Sequence, residues 1–121
     1  MNPRGIDART SQRVAVRLSA EVHHAAGSFT ALTRDLSVGG VCLEADRALP
    51  EGDALAVLLF LVVDDVEDAA HPPLEMKGRV AWAVPGEGGE PARMGVRFES
   101  VSPQQLEGLS RFLKLVAPPS A

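Results

Sequence analysis

The sequence predicts an all-β domain with a C-terminal helix, arranged as a small six-stranded antiparallel β-barrel. Three observations lead there. Several short segments alternate apolar and polar residues at period two, the mark of strands with one buried face. Turn signals rich in Gly, Pro and Asp separate those segments. A single late segment changes to helical spacing. At 121 residues the chain is long enough for one domain. Apolar residues make up 45% and aromatics 4%, with no Tyr, so Val, Leu and Ala must fill most of a modest core.

Residues 1–12 show no apolar periodicity and contain Pro3, Gly5, Ser11 and Gln12. They are expected to form a flexible N-terminal arm, followed by the barrel domain over residues 13–117. From Arg13 a strand begins, with Val14, Val16, Leu18, Ala20 and Val22 on one face. A turn over His24–Ser28 leads to a second strand, Phe29–Leu36, with Phe29, Ala31 and Thr33 alternating. The break at Asp35–Gly40 is a turn or bulge in which Gly39 and Gly40 permit positive φ, Gly40 being the expected residue with unusual dihedrals. Leu36 and Val38 are expected to face the core, which puts Asp35, Ser37 and Gly39 together on the outer face. Val41–Ala45 is a short third strand.

Leu49–Asp53 is a turn. Ala54–Val63 is the most apolar stretch, a strand expected to be covered on both faces, and Asp64–Pro73 a polar loop. Leu74–Val84 is a long strand with Met76, Gly78, Val80 and Trp82 of one parity, so Trp82 is expected in the core, with stacking on a base as the alternative role. Pro85–Pro91 is a hairpin loop, and Ala92–Glu99 returns with Met94, Val96 and Phe98 inward. Ser102 can cap a helix over about 103–116, with Pro103 at its first position. Leu106, Leu109, Phe112, Leu113 and Val116 form its apolar stripe, which either plugs the barrel or meets a partner.

Composition excludes several function classes. No apolar run reaches the ~18 residues of a membrane span, and the N-terminus lacks an apolar signal region, so a cytoplasmic protein without membrane attachment is expected. Cys42 is the one cysteine; in an apolar run it reads as a buried, inert thiol. His23, His24 and His71 have no metal spacing, and the acidic run Asp64–Asp68 lacks the glycine and alternation of a calcium loop. No metal and no cofactor are therefore expected. No Ser/His/Asp or Cys/His set is placed to make a nucleophile, so the protein is not expected to be an enzyme. A barrel that binds single-stranded nucleic acid needs aromatic platforms and a basic groove. One Trp, four Phe and a net charge of −4 argue against that partner.

The charge is unevenly spread. Residues 1–17 carry Arg4, Arg9, Arg13 and Arg17 against Asp7 alone, and ten of the twelve basic residues are Arg. Arg suits planar, bidentate contacts. Arg9 and Arg13, four apart, span ~13 Å in an extended chain, the scale of a dinucleotide. Arginine forks bind phosphate and the O6/N7 edge of guanine. Asp35 can accept from the guanine N1 and N2 hydrogens, and Gly39 and Gly40 let a ligand approach the backbone. The bland alternatives are a solvated basic tail for the arginines and a self-bonded bend for Asp35 and Ser37. Arg34, before the turn, and Arg97, on the outer parity of its strand, are possible additional contacts, as is Arg4.

The spacing RxxxR at Arg9 and Arg13, followed after one hairpin by DxSxxG at Asp35, Ser37 and Gly40, resembles the PilZ domain family, receptors for the bacterial second messenger cyclic di-GMP. The likeness extends from about Arg9 to Val116. It includes Arg13–Leu18 as the first strand and Gly78–Trp82 and Met94–Phe98 as late strands. By that resemblance, Arg9 and Arg13 engage guanine edges and phosphates while Asp35, Ser37, Gly39 and Gly40 complete the contacts. Some members bind an intercalated ligand pair with the help of an Arg directly before the motif; Ala8 stands there, which favours one ligand per chain. The implied function is a cyclic di-GMP receptor or adaptor whose N-terminal arm changes conformation on binding. It would signal through a downstream protein, as a monomer or homodimer. The alternative is a PilZ-like protein-interaction module that acts without ligand.

Overall fold

The structure, a computed structural model, describes residues 13–60, 62–63, 66–67 and 73–116. Its strands are β1 (Val14–Ala15), β2 (Ser19–His24), β3 (Gly27–Leu36), β4 (Gly40–Ala45), β5 (Ala54–Leu59), β6 (Val62–Val63), β7 (Val66–Glu67), β8 (Leu74–Val84) and β9 (Ala92–Glu99). One helix, α1 (Pro103–Val116), follows. Strands β3, β2, β5, β8, β9 and β4 hydrogen-bond in that order, and β4 returns to β3. The result is a closed six-stranded antiparallel barrel, as expected, with β1 as an extra strand along β3. Closure removes the unpaired edges that an open sheet of this size would expose.

The core is built by the predicted alternation. Val14, Leu18, Ala20 and Val22 point inward from the first segment, and Leu55, Val57 and Leu59 from β5. Met76 and Val80 meet Met94, Val96 and Phe98 across the β8–β9 pair. Each fully buried side chain of this size contributes about 1.5–3 kcal/mol. The helix carries the expected Ser102 cap, which the structure completes as a capping box. Ser102 Oγ accepts from Gln105 N at 3.1 Å, while Gln105 Oε1 accepts from Ser102 N at 2.8 Å. Leu109, Phe112 and Leu113 join the barrel core, which selects plugging over a free face. Leu106, expected in that stripe, is exposed instead.

Several boundaries differ from the sequence reading for identifiable reasons. The strand expected to run unbroken from Arg13 is split, because three residues, Val16–Leu18, stand opposite two, Thr33 and Arg34. The buried Thr33 hydroxyl fills this bulge. It accepts from Leu18 N at 2.8 Å and donates to the carbonyl of Val16. The apolar stretch from Ala54 ends as a strand at Leu59, and Val62–Val63 pairs with Val66–Glu67 inside the segment read as a loop. Strand β5 buries one face fully; Ala56 and Leu58 on the other are half-buried, as the outer wall of a barrel requires.

Two further bulges reset side-chain direction, because one extra residue inverts every later position. On β3 the register shifts between Thr33 and Asp35, so Thr33 and Leu36 both point inward despite opposite parity. On β8 it shifts between Val80 and Trp82. Trp82 is therefore not in the core. It stands on the outer wall, 40% exposed, over Gly95, where any Cβ would collide with the indole.

Candidate functional site

The two motif segments meet at the paired ends of β1, β3 and β4. Ala15 is opposite Asp35, and Asp35 is opposite Cys42. Cys42 is opposite Gly95, and Gly95 opposite Trp82. These pairings make a lateral row across five strands on the outer wall. Arg13, just before β1, reaches that row: its Nη1 donates to Asp35 Oδ1 at 2.6 Å. Asp35 is thus an ion-pair partner of the first motif and not a brace for the turn.

Ser37 behaves differently from the expectation. It is 2% exposed and does not share the outer face with Asp35 and Gly39. Its hydroxyl accepts from Gly39 N and Gly40 N at 3.2 Å each, and it lies 3.4 Å from the Gly40 carbonyl that accepts from Ser37 N at 2.9 Å. Ser37 therefore shapes the Ser37–Gly40 turn from beneath, the self-bonding role of a turn hydroxyl. Leu36 is buried and Val38 packs against the core, as expected.

Gly40 also has another basis than the one expected. Among the described glycines, positive φ occurs at Gly27, Gly52, Gly88 and Gly89, and Gly40 is not among them. What it needs is the absence of a side chain. A Cβ there would strike the carbonyl of Val96, with Arg97 Cα 3.4 Å away. The turn thereby lies close against β9, where Gly39 O accepts from Phe98 N at 2.9 Å.

Arginines ring the row. Arg34 is exposed beside Asp35, with Nη1 3.4 Å from Glu44 Oε2. Arg97 is exposed on β9, opposite both Gly40 and Arg79. Arg93 faces out between Glu44 and Val84. Burial pushes the Cys42 thiol above its ordinary value and Asp35 adds to that, while Arg34, Arg13 and Arg93 pull the other way. One buried thiol thus senses three guanidinium groups around it. Cys42 is buried as expected, yet it lies outside the core cluster, between the core positions Val41 and Leu43.

The structure brings together Arg13, Asp35, Gly39, Gly40, Arg34 and Arg97, with Ser37 underneath. Arg9 and Arg4 lie outside the described residues. Sequence reasoning missed Arg93 and Glu44 as neighbours of this face and preferred the core for Trp82. Arg93 was legible, since it shares the outward parity of Arg97. Trp82 was not, because its direction depends on a bulge. A groove of about 560 Å³ borders the face at Glu44, lined by Arg17, Glu21, Leu32 and Phe60 among others, but contains neither Arg13 nor Asp35. The motif residues Arg13 and Asp35 therefore lie on an open wall and not in that groove. Among the described residues no cluster of His, Cys, Asp and Glu is arranged to hold a metal ion. No helix among them is long and apolar enough to cross a membrane.

In architecture the chain is a small closed antiparallel barrel with an appended helix and an arginine-ringed outer wall. It belongs to the PilZ domain family, whose model matches residues 7–115. Solved structures of the same fold include the PilZ domain of YcgR from Escherichia coli with c-di-GMP, 19% identical, with a TM-score of 0.67 over 87% of this chain and 88% of that one. The PilZ domain of CeSA from a cellulose-synthesizing bacterium is 22% identical, with a TM-score of 0.60 over 86% and 96% of the two chains. The inhibitor of motility MotI/DgrA of Bacillus subtilis is 16% identical, with a TM-score of 0.66; 83% of this chain spans 46%, about half, of that protein. Comparison with curated proteins gives no match.

Proposed function

We propose that this PilZ domain is a cytoplasmic, non-catalytic receptor for cyclic di-GMP. The observation that carries the reading is the convergence of Arg13 and Asp35, 2.6 Å apart, with the bare Gly39–Gly40 turn and an exposed Trp82 on one wall. Each part matches one feature of the ligand. The Arg13 fork, with Arg9 from the N-terminal arm, grips a phosphate or the guanine O6/N7 edge. Asp35 accepts from guanine N1 and N2. Gly39, exposed at the turn, admits the sugar–phosphate ring close to the backbone, while Gly40 seats the turn against β9. Trp82 gives a base an apolar face to stack on, and Arg34 and Arg97 add positive field for a dianion.

In the free protein Asp35 holds Arg13. A ligand that offers phosphate to Arg13 and amino hydrogens to Asp35 satisfies both partners of that pair while separating them. The arm bearing Arg9, which leads into Arg13, then changes conformation, and a downstream protein reads the new surface. Support for the ligand comes from the intact RxxxR and DxSxxG residues and from the like-folded YcgR domain, whose structure contains c-di-GMP.

Titration calorimetry with cyclic di-GMP tests this directly. Wild type is expected to bind. Arg13→Ala and Asp35→Ala are each expected to weaken binding by about 100-fold, the loss of roughly 3 kcal/mol of charge-assisted contact. Both side chains are partly exposed, so thermal stability should barely move. An absence of heat with wild type at high micromolar ligand would instead support the ligand-independent interaction module.

A further inference from the structure

We infer that Glu44 is a specificity determinant of this wall, a fixed negative charge that limits how much charge a bound nucleotide can carry. The inference rests on the nucleotide-receptor reading above and adds to it a residue outside the RxxxR and DxSxxG pattern. Glu44 sits on β4 two residues beyond Cys42, which places it roughly 7 Å along the strand from the Asp35–Cys42–Gly95–Trp82 row. Its side chain is only 16% exposed. Two arginines share it: Arg17 Nη1 lies 3.4 Å from Oε1, and Arg34 Nη1 lies 3.4 Å from Oε2. A third, Arg93, is its cross-strand neighbour on β9. One carboxylate thus stands among three of the guanidinium groups that make this side of the barrel basic.

Two effects of that carboxylate oppose each other. It can orient Arg34 for a ligand, which would help binding. It also repels ligand phosphates and competes with them for Arg34 and Arg93, which would hinder binding. Magnitudes favour the second. Both contacts are long for an ion pair, and the guanidinium groups are about half exposed, so the orienting effect is small. The repulsion acts from a largely covered charge, which salt screens less than an exposed one. At about 8 Å and an effective dielectric of about 40, each ligand charge loses roughly fourfold in affinity at low salt and roughly twofold at physiological ionic strength.

Because the penalty multiplies with each charge, Glu44 discriminates by charge number. Cyclic di-GMP carries two phosphodiester charges. Hydrolysis of one ester bond, with water supplying the hydroxyl and proton, gives a linear dinucleotide. That product has one diester and one terminal phosphate, about one negative charge more. The site therefore disfavours the opened product more than the ring.

The test is calorimetric titration of wild type, Glu44→Gln and Glu44→Asp with cyclic di-GMP and with linear 5′-phosphorylated diguanylate, at about 10 and 150 mM salt. Glu44→Gln should bind the ring about 16-fold more tightly at low salt, about fourfold for each of its two charges. Its preference for the ring over the linear form should fall about fourfold, shrinking to about twofold at the higher salt. Glu44→Asp keeps the charge and should keep wild-type selectivity. If wild type binds the ring but Glu44→Gln binds it equally or more weakly, or selectivity does not move, the role of Glu44 is overturned alone. A matching gain in Glu44→Asp also overturns it. A wild type that binds neither nucleotide overturns the receptor reading, and this inference with it.

Discussion

Replacing Gly40 by Ala separates two explanations for a motif glycine. If the residue were there to adopt positive φ, Ala would cost about 1 kcal/mol of backbone strain, and Asn, which tolerates that region, would be milder. The structure requires something else. Gly40 has ordinary φ, and the atoms that a new Cβ would meet are all backbone: the Val96 carbonyl and Arg97 Cα. Backbone cannot rotate away as a side chain does. Strands β4 and β9 would have to part at the Gly40–Arg97 pair, loosening the Ser37 N to Gly40 O bond of 2.9 Å. Overpacking of this kind costs about 3 kcal/mol, which for a domain of this size lowers the melting temperature by about 10 °C. Thermal unfolding followed by far-ultraviolet circular dichroism measures it. Gly108→Ala is the control, since a Cβ at Gly108 on α1 meets nothing and should leave stability equal or raise it by about 0.5–1 kcal/mol. A Gly40→Ala protein melting within about 2 °C of wild type, or a Gly40→Asn protein more stable than Gly40→Ala, would refute the close-approach argument.

Three further outcomes are expected. Thr33→Val leaves Leu18 N and the Val16 carbonyl without their hydroxyl partner inside the β1–β2 bulge and should destabilise the domain by about 2–4 kcal/mol in urea unfolding, far more than an exposed threonine would. Trp82→Ala should weaken cyclic di-GMP binding by about 5–150-fold, the range of one lost stacking contact, while Trp82→Phe retains most of the affinity; calorimetry decides between them. The Cys42 thiol, held above its ordinary value chiefly by burial, keeps its proton in the folded protein after an unfolded chain would have lost it. Its contribution to stability is therefore full below the unfolded thiol range and declines as pH rises through that range towards the higher folded value. Chemical denaturation of wild type against Cys42→Ala between pH 7 and 10 should show that decline in wild type only.

Much of this architecture is written in local pattern. Strict alternation in Val14–Val22, Met76–Val80 and Met94–Phe98 demands half-buried strands, and Ser102 as cap with Pro103 at the first helical position announces α1. The motif residues could be named in advance because they combine unusual types at fixed spacing. What misled the reading was register. An extra residue near Arg34 and another at Ala81 leave no trace in hydropathy, yet each inverts the side chains that follow. Ser37 was misplaced for a related reason: inside a turn, alternation no longer defines a face.

The amino-acid sequence alone determined a closed barrel with a terminal helix, and the arginine and Asp-x-Ser-x-x-Gly residues. Those conclusions depend on residue type and short spacing. Tertiary structure alone decided that Arg13 meets Asp35 and that Trp82 covers Gly95 on the outside. It also decided that Ser37 turns inward and that Glu44 stands among three arginines. Apart from the Ser37 turn, whose bonds are local, these contacts join strands distant along the chain, and their register is set by bulges and barrel closure, which no single segment contains.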